Sequence, residues 1–428
     1  MSQSRQPSSG SQEPSFFARP DPRPPSSAWG VAFLALIGLG CATVFAACDN
    51  GPTQSPPVEF EQLDPVLVAQ GQQVFRFETF DDERFWTDTA RMHEVVQTSV
   101  SPALALQVGL KVDADALPQA VKDAIVAGQV DLNDPATTVT LLKLNSVVGL
   151  KGTVTQTAAG KDTLTRLGIT CALCHSTVDN SFAPGIGKRV DGQPNHDLNV
   201  GAIVALSPAI PASAKAIYNS WGPGMYDARY NFDGQSDPAV IPPAYGLNGV
   251  AKEIYTGDGP VSYWNAYVAV TQMHGQGTFQ DPRLNINIVK SPDVVTPLLP
   301  ALRQYQFSLS VPRPAASTID QVAASRGKTL FEGAASCSRC HSGALLTDVN
   351  AGVLHTPEEI GQDATFAARS ATGRYRTTPL RGLVGHAPYF HDGSAKTLAE
   401  VVVHYDQLLK LGLSTQQRAD LVEYLKTL

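Results

Sequence analysis

Two short stretches of the chain read almost alike: "ITCALCHST" at Ile169–Thr177 and "ASCSRCHSG" at Ala335–Gly343. Each contains a Cys-x-x-Cys-His string, in which a histidine directly follows the second cysteine. The two thiols of such a string can add to the two vinyl groups of one haem, and the histidine can bind its iron. The pattern therefore predicts two covalently bound c-type haems, and with them the fold.

The predicted attachment residues are Cys171 and Cys174 with iron ligand His175 for the first haem, and Cys337 and Cys340 with iron ligand His341 for the second. A thioredoxin-like redox pair and half of a zinc site are the alternatives. A redox pair does not need a histidine after its second cysteine, and a zinc site needs both strings to converge on one metal. Covalent haem attachment is favoured over both.

An apolar segment near the N-terminus predicts export. Trp29–Ala47 carries no charge, and arginines outnumber acidic residues in the polar leader before it. Positive charge ahead of an apolar run is retained inside the cell, so the following chain is expected on the periplasmic side. The segment 29–48 is interpreted as a signal, a lipoprotein signal with Cys48 as the lipidated residue, or a membrane anchor. Residues 1–28 are expected to be a disordered leader.

The composition is that of a globular protein with a formal charge of −7, which gives no electrostatic footprint for nucleic acid. Two similar helical patterns precede the strings, "VAQGQQVFRF" at Val68–Phe77 and "AASRGKTLFEG" at Ala323–Gly333. In the first copy the helix and its string lie far apart, so residues 78–167 are interpreted as an insertion. The predicted organisation is a linker at 49–60, a first haem domain at 61–309, a linker at 310–317 and a second haem domain at 318–428.

The expected fold class is all-α, with two cytochrome-c-like haem domains, the first carrying a helical insertion. Asp115–Gly128 and Thr138–Leu150 have amphipathic helical patterns inside that insertion. Ser414 is a candidate cap for a final helix that ends the chain and is expected to cross the first helix of its domain.

The stretch "YRTTPLRGLVGHAPYFHDGSAKTLAEVVVHYD" at Tyr375–Asp406 resembles the C-terminal domain of bacterial di-haem cytochrome c peroxidases and their relatives. Among these relatives is the di-haem enzyme that matures the methylamine dehydrogenase cofactor. The resemblance implies one haem for peroxide or substrate chemistry and one for electron entry. His175 is accordingly assigned to the reactive haem and His341 to the electron-entry haem.

The resemblance also bears on the second iron. The peroxidases place a methionine in the segment that here reads "VVVHYD", but this sequence has no methionine after Met273. Tyr405 falls at the corresponding position, as a tyrosine does in the methylamine-dehydrogenase maturation relative. His404 is a competing ligand, and packing of Tyr405 on the haem edge without ligation is a third interpretation.

Further roles follow from the same resemblance. His391 is implied to lie near the haem without binding its iron. Asn199 and the backbone around His386 and Pro388 fall where the family holds an interdomain calcium ion. Trp221 is a candidate electron relay between the haems, with core packing as the alternative.

The sixth position of the first iron is open among several residues. His196, Met273 and His274 are the candidates in this part of the chain, and Met225 is also within reach. The Gln/Glu pair with which the peroxidases polarise peroxide has no clear match. Glu253, Asp233 and Gln235 are the nearest acidic or amide groups.

The leading hypothesis is an exported di-haem oxidoreductase of the peroxidase-like class. Its expected partners are a small redox protein or quinone-chain electron donor, a small-molecule oxidant, and the membrane through the N-terminus. The alternatives are a non-catalytic electron-transfer cytochrome and a haem-based sensor or assembly subunit. A five-coordinate haem that reacts with peroxide distinguishes the enzyme from a carrier with two six-coordinate haems.

Overall fold

A computed structural model describes residues 58–228 and 236–428. The leader, the apolar segment 29–48, Cys48, Asp233 and Gln235 lie outside the described residues. The described chain is mostly helical, which confirms the predominance of helix expected from the sequence. Within it, every helix is too short or too polar to cross a membrane.

The regular elements are numbered here in chain order. The helices are α1 Pro65–Phe77, α2 Met92–Ser99, α3 Pro102–Gln107, α4 Gln119–Val126, α5 Pro135–Lys143, α6 Ala172–His175, α7 Val200–Ala205, α8 Ala212–Asn219, α9 Val261–Tyr267, α10 Leu299–Ser308, α11 Gln321–Glu332, α12 Pro357–Ile360, α13 Thr365–Ala368, α14 Leu398–Leu408 and α15 Thr415–Lys426. The strands are β1 Val112–Asp113, β2 Leu150–Gln156, β3 Asp162–Ile169, β4 Ser176–Val178, β5 Ile186–Gly187, β6 Arg189–Asp191, β7 Met225–Tyr226, β8 Ala239–Val240, β9 Thr278–Asp281 and β10 Ile286–Val289. The strands pair two by two in five small sheets of the described chain.

Two crossed helix pairs repeat the same design. Helix α1 packs on α10, and α11 packs on α15. A Cβ atom on Gly71 of α1 would lie 1.9 Å from the carbonyl oxygen of Ala301, and one on Gly327 of α11 would lie 2.0 Å from that of Asp420. Because no side chain fits in either crossing, a glycine lets the two backbones touch. The repeated glycines of the sequence are therefore explained by helix crossing.

The aromatic residue one turn after each glycine completes the repeat. Phe75 meets Tyr305 edge to face with ring centroids 5.4 Å apart, and Phe331 meets Tyr424 in the same way at 5.2 Å. Both phenylalanines are fully buried. Edge-to-face pairs of this kind add about 0.5–1.5 kcal/mol to the burial of their rings.

The last helix has the expected start and position. The side chain of Ser414 accepts a hydrogen bond from the backbone N–H of Gln417, whose own side chain returns to the backbone N–H of Ser414. This capping box satisfies donors that the first helical turn leaves free. Ser414 as a helix cap, and the crossing of the final helix over the first helix of its domain, are both confirmed.

The expectation of a wholly helical insertion is wrong. Helix α5 ends at Lys143, and Leu150–Gln156 pairs with Asp162–Ile169 as an antiparallel hairpin that packs on α2 and α5. Threonine, valine and leucine alternate along this stretch, and such residues favour a pleated surface over a helix. Gly160 forms the turn with a φ of +78°, a conformation that glycine adopts without strain.

Residues 318–428, the predicted second domain, pack on residues 239–256, which we call the interdomain segment. The backbone N–H of Val240 donates to the carbonyl of His391 at 2.7 Å, and that of Arg376 donates to the carbonyl of Tyr255 at 2.8 Å. The Tyr245 hydroxyl donates to the carbonyl of Gly382 at 3.1 Å. This segment is therefore held in place from the second-domain side.

Candidate haem-binding sites

The first Cys-x-x-Cys-His string closes on the interdomain segment. His175, at the end of α6, donates from Nδ1 to the carbonyl of Pro242 at 3.0 Å. A carbonyl only accepts, so Nδ1 carries the proton and Nε2 presents its lone pair. Burial lowers the pKa of His175, which keeps the imidazole neutral, as metal binding requires. A partner on Nδ1 is the arrangement that orients metal-binding histidines.

The second string shows the same geometry, with a hydrogen-bond partner that is nearer in the sequence. His341 donates from Nδ1 to the carbonyl of Leu346, also at 3.0 Å, and burial lowers its pKa. Burial raises the pKa of the Cys171 and Cys174 thiols to about 12 and that of Cys337 to about 11. The Cys171, Cys174 and Cys337 thiols are therefore shielded, and each string holds an imidazole with a fixed tautomer whose neutral form burial favours.

A cavity of about 300 Å³ lies at the first string, and its wall is mostly apolar. Glu253 and Gln272 are acidic and amide groups on that wall, and both are buried. The Glu253 carboxylate accepts from the backbone N–H of Val261 at 3.0 Å and from Nη1 of Arg303 at 3.3 Å. Burial raises the pKa of Glu253 although the Arg303 charge opposes the shift.

Gln272 is a residue that sequence reasoning missed. Its side-chain oxygen accepts from the Tyr226 hydroxyl at 2.7 Å, and its amide nitrogen donates to the hydroxyl of Thr271 at 2.9 Å. These bonds fix the amide on the cavity wall. The residue directly precedes Met273 and His274, so the stretch that holds two candidate iron ligands also contains the amide.

Two of the four candidate ligands of the first iron reach the cavity, and Met225 is not among the described residues that line it. Met273 and His274 both line it. The His274 ring stacks on Phe85 with centroids 3.6 Å apart, and burial lowers its pKa to about 4. The wall of the cavity, as far as the described residues define it, does not include His196.

At the second string, the structure brings Tyr405 to the attachment cysteines. Burial raises the pKa of the Tyr405 phenol to about 12, and Cys340 and Cys337 contribute to the shift, so the phenol lies within electrostatic range of both attachment cysteines. His404, one residue earlier on α14, directs Nε2 to the carbonyl of Ile360 at 2.9 Å. The bond of His404 to Ile360 leaves Tyr405 as the candidate of this pair for the second string.

His391 lies at the contact between the domains. Its Nε2 is 3.0 Å from the Tyr375 hydroxyl, and the two rings stack with centroids 4.7 Å apart. The Phe366 ring packs on the His391 ring with centroids 5.7 Å apart, and the backbone carbonyl of His391 accepts from the backbone N–H of Val240. This buried histidine therefore joins the second domain to the interdomain segment.

The remaining predicted residues are spread around the first cavity. Trp221 is buried on its wall and packs edge to face between Tyr218 and Tyr226, at 5.1 and 5.5 Å. The Asn199 side-chain oxygen accepts from the backbone N–H of Ala202 at 3.0 Å and so caps α7. His386 lines the cavity, and Pro388 follows it in the turn before α14.

The polar atoms of the cavity wall provide a test of whether a haem fits. Nε and Nη1 of Arg376, Nε1 of Trp221 and Nε2 of His386 are shielded from solvent without a hydrogen-bond partner among the described residues. Buried polar groups ordinarily have partners, so the cavity calls for a polar occupant at these points. A haem combines a large apolar ring with two carboxylates, and the residues present fit such a group.

Comparisons with known proteins agree with this assignment. The family model of cytochrome c matches residues 324–428. Cytochrome-c peroxidase IdrP2 of a Pseudomonas species is 30% identical over 24% of this chain and 39% of its own length. The methylamine utilization protein MauG of Methylorubrum extorquens is 33% identical over 24% of this chain and 34% of its own.

The matched regions are partial. The chain spans between a third and two fifths of the length of these relatives. A solved MauG-like protein associated with microbial copper homeostasis aligns with 46% of this chain and 75% of its own, at 22% identity and a TM-score of 0.32, which is too low to support an argument. The sequence matches confirm the resemblance recognised from the motifs: over about a quarter of its length, the chain is similar to cytochrome-c peroxidases and to MauG.

Proposed function

We propose that this chain is an exported di-haem c-type cytochrome of the peroxidase-like class. An external donor supplies electrons through the haem on Cys337 and Cys340, and a peroxide or another small oxidant is reduced at the haem on Cys171 and Cys174. The observation that carries the proposal is the difference between the strings. The first opens on a cavity lined by a buried carboxyl and a buried amide, and the second faces a phenol.

A haem bound at either string supplies an iron that exchanges electrons with a donor or an oxidant. The chain's own contribution begins with His175 and His341. Each ring is held by a hydrogen bond from Nδ1 to a backbone carbonyl, which fixes its orientation and raises the basicity of Nε2. The apolar cavity wall excludes water and strengthens electrostatic interactions inside it.

Glu253 is the proposed proton-handling group. Reduction of hydrogen peroxide to two waters consumes two electrons and two protons, and the leaving oxygen needs a proton as the O–O bond breaks. The buried carboxyl has a raised pKa, which brings its proton exchange closer to neutral pH. Arg303 and the backbone N–H of Val261 hold the carboxylate in place. Gln272, fixed by Tyr226, is the proposed positioning group for the oxidant.

Tyr405 is the proposed second ligand of the second iron. Its phenol lies beside both attachment cysteines, and His404 uses Nε2 on the carbonyl of Ile360. An anionic oxygen ligand stabilises ferric iron relative to ferrous iron. Burial opposes ionisation of the free phenol, so coordination has to supply the free energy of deprotonation.

The setting of the protein is part of the proposal. The uncharged run of residues 29–48 after a basic leader supports export to the periplasmic side, with attachment through Cys48 or an uncleaved anchor. A small redox protein or a quinone-chain component is the proposed donor. The interdomain calcium ion has less support, because the side-chain oxygen of Asn199 already caps α7.

The spectrum of the purified ferric protein tests the function. We expect one high-spin haem and one low-spin haem, and we expect only the high-spin bands to change when stoichiometric peroxide is added. Two low-spin haems inert to peroxide would contradict the proposal. That result would instead establish an electron-transfer cytochrome, a second candidate that the presence of Met273 and His274 on the cavity wall favours.

A further inference from the structure

Arg376 is a second-domain residue whose guanidinium reaches the cavity of the first string. Its backbone N–H donates to the carbonyl of Tyr255 at 2.8 Å, and its Nη2 donates to the carbonyl of Glu253 at 3.2 Å. Its Nε and Nη1 are shielded from solvent and have no partner within residues 58–228 and 236–428. The side chain lines the cavity. A guanidinium therefore stands buried in an apolar cavity with two donors unused.

The charge of Arg376 is poorly balanced. Burial lowers its pKa to about 10, so the group remains a cation near neutral pH. Glu253, the carboxylate whose charge acts on Arg376, also accepts hydrogen bonds from Arg303 and from the backbone of Val261. A buried cation that shares its counter-ion with a second arginine is stabilised by a further anion. The cavity is therefore built for an anionic group at this point.

The other basic groups on the wall do not take this role. Burial lowers the pKa of His386 to about 4, so its ring is neutral near pH 7. Nη1 of Arg381 donates to the carbonyls of Gly246 and Asn248 at 3.0 and 3.3 Å. Arg376 is left as a cation with unused N–H donors on two sides of its guanidinium. A charge-assisted hydrogen bond from such a donor is the interaction that a carboxylate accepts.

We propose that Arg376 is a carboxylate-binding site, and that its occupant is a propionate of the haem attached to Cys171 and Cys174. A residue of the second domain then holds the haem of the first domain, so that loading of the first haem also fastens the two domains together. This inference rests on the proposed function only in requiring that the first haem is attached.

The test measures both reduction potentials of the full-length holoprotein between pH 5 and pH 9. Arg376→Gln removes the charge, Arg376→Lys keeps it, and Arg374→Gln is the matched control on the same segment, because Arg374 is exposed. The mass of each denatured variant counts its covalent haems.

In Arg376→Gln we expect the reduction potential of one haem to fall by about 59 mV. For a one-electron reduction, this shift corresponds to about a tenfold change in the equilibrium constant. Losing a nearby cation favours ferric iron, and the freed propionate then titrates, so the potential gains a pH dependence. Arg376→Lys should keep most of the parent value, and Arg374→Gln all of it. Loss of the first haem from the glutamine variant but not from the lysine variant would support the same assignment.

Several results would overturn the assignment. One is a glutamine variant that holds two haems with unchanged potentials. Another concerns a protein from which the Cys171→Ser and Cys174→Ser substitutions have removed the first haem. If Arg376→Gln shifted the remaining reduction potential equally in that protein, the first haem would not be the occupant. A third is a spectral response of the parent protein to millimolar acetate that Arg376→Gln abolishes, because it would make the occupant a free anion. None of these readouts uses peroxide, so a protein inert to peroxide would refute the function and leave this inference standing.

Discussion

The two Cys-x-x-Cys-His strings have the same local geometry but reach it by different routes. His341 takes the carbonyl of a residue 5 positions along the chain, whereas His175 takes that of a residue 67 positions along, at the same 3.0 Å. The second string and the partner of its histidine therefore lie on one continuous stretch, and that stretch lies within the region matched by the cytochrome c family. The first site needs the interdomain segment, which the second domain holds in place.

The difference extends to the space around each string. The first string opens on a cavity whose wall includes Arg376 and His386 of the second domain. The second string is faced by Tyr405 of its own domain. A domain that supplies its own groups suits a fixed redox centre, and a site shared by two domains leaves room for an oxidant. The comparison teaches that repetition of the motif does not imply repetition of its surroundings.

Removal of each cysteine pair should have the largest effect on the comparison. Cys171→Ala with Cys174→Ala, or Cys337→Ala with Cys340→Ala, should each remove one of two covalent haems, because each string supplies both thioether bonds. Mass measurement of the denatured chain and haem staining after denaturing electrophoresis check the count. The comparison would be wrong if the parent chain carried fewer than two covalent haems. It would also be wrong if a double variant kept both haems.

Replacement of the phenol should alter one haem only. Tyr405→Phe is expected to raise the potential of the second haem, on the order of 0.1 V, because an anionic ligand of ferric iron is lost. His404→Gln is the matched control, since the bond to the carbonyl of Ile360 can be kept by an amide. Spectroelectrochemical titration follows both haems. If the glutamine variant loses the ferric ligand-field bands and the phenylalanine variant keeps them, the ligand is His404.

Removal of the Glu253 carboxyl should slow the reaction of the first haem with peroxide and leave the second haem unchanged. Glu253→Gln is expected to reduce the peroxide rate constant about 100-fold, the loss typical of a general acid–base group. The ionised carboxylate must accept a proton from peroxide, so the parent rate should fall as the pH drops through the raised pKa of Glu253. Glu59→Gln, at an exposed glutamate, is the control. Stopped-flow kinetics across pH measure the rate constant for peroxide. If Glu253→Gln kept the parent pH profile of that rate constant, Glu253 would not be the proton-handling group.

Replacing the glycine at either helix crossing should give the smallest effect. The loss of unfolding free energy should be similar for the two crossings. Gly71→Ala and Gly327→Ala are each expected to cost about 1–3 kcal/mol of unfolding free energy, because the added carbon meets a backbone oxygen that can move only with its helix. Ser325→Ala, exposed on α11, is the control. Denaturant unfolding measures the loss. A loss confined to one domain would show that the crossings are not equivalent.

Sequence reasoning worked where the pattern is local. The cap at Ser414 and the paired helices that precede the two strings lie on short stretches whose spacing carries the information. The roles of the strings and of Tyr405 stay predictions, the latter from the resemblance. The hairpin was missed, because the helical pattern at Thr138–Leu150 covers a helix end and a strand start, and alternation in the following residues was not weighed. Gln272 and Arg376 were missed for a different reason. Each lies inside a quoted motif, but only its neighbours across the fold show what its side chain faces.

The sequence by itself determined the chemistry that each string can hold, because thiols and imidazole at fixed spacing meet one haem wherever the chain runs. It also determined that the second iron has no methionine in its own domain. The tertiary structure decided what surrounds each string. The cavity, the partner of His175, the buried carboxyl and the unbalanced guanidinium arise where segments far apart in sequence meet. Burial there shifts pKa values and fixes hydrogen bonds, and burial is a property of the packed fold that no single stretch of the sequence carries.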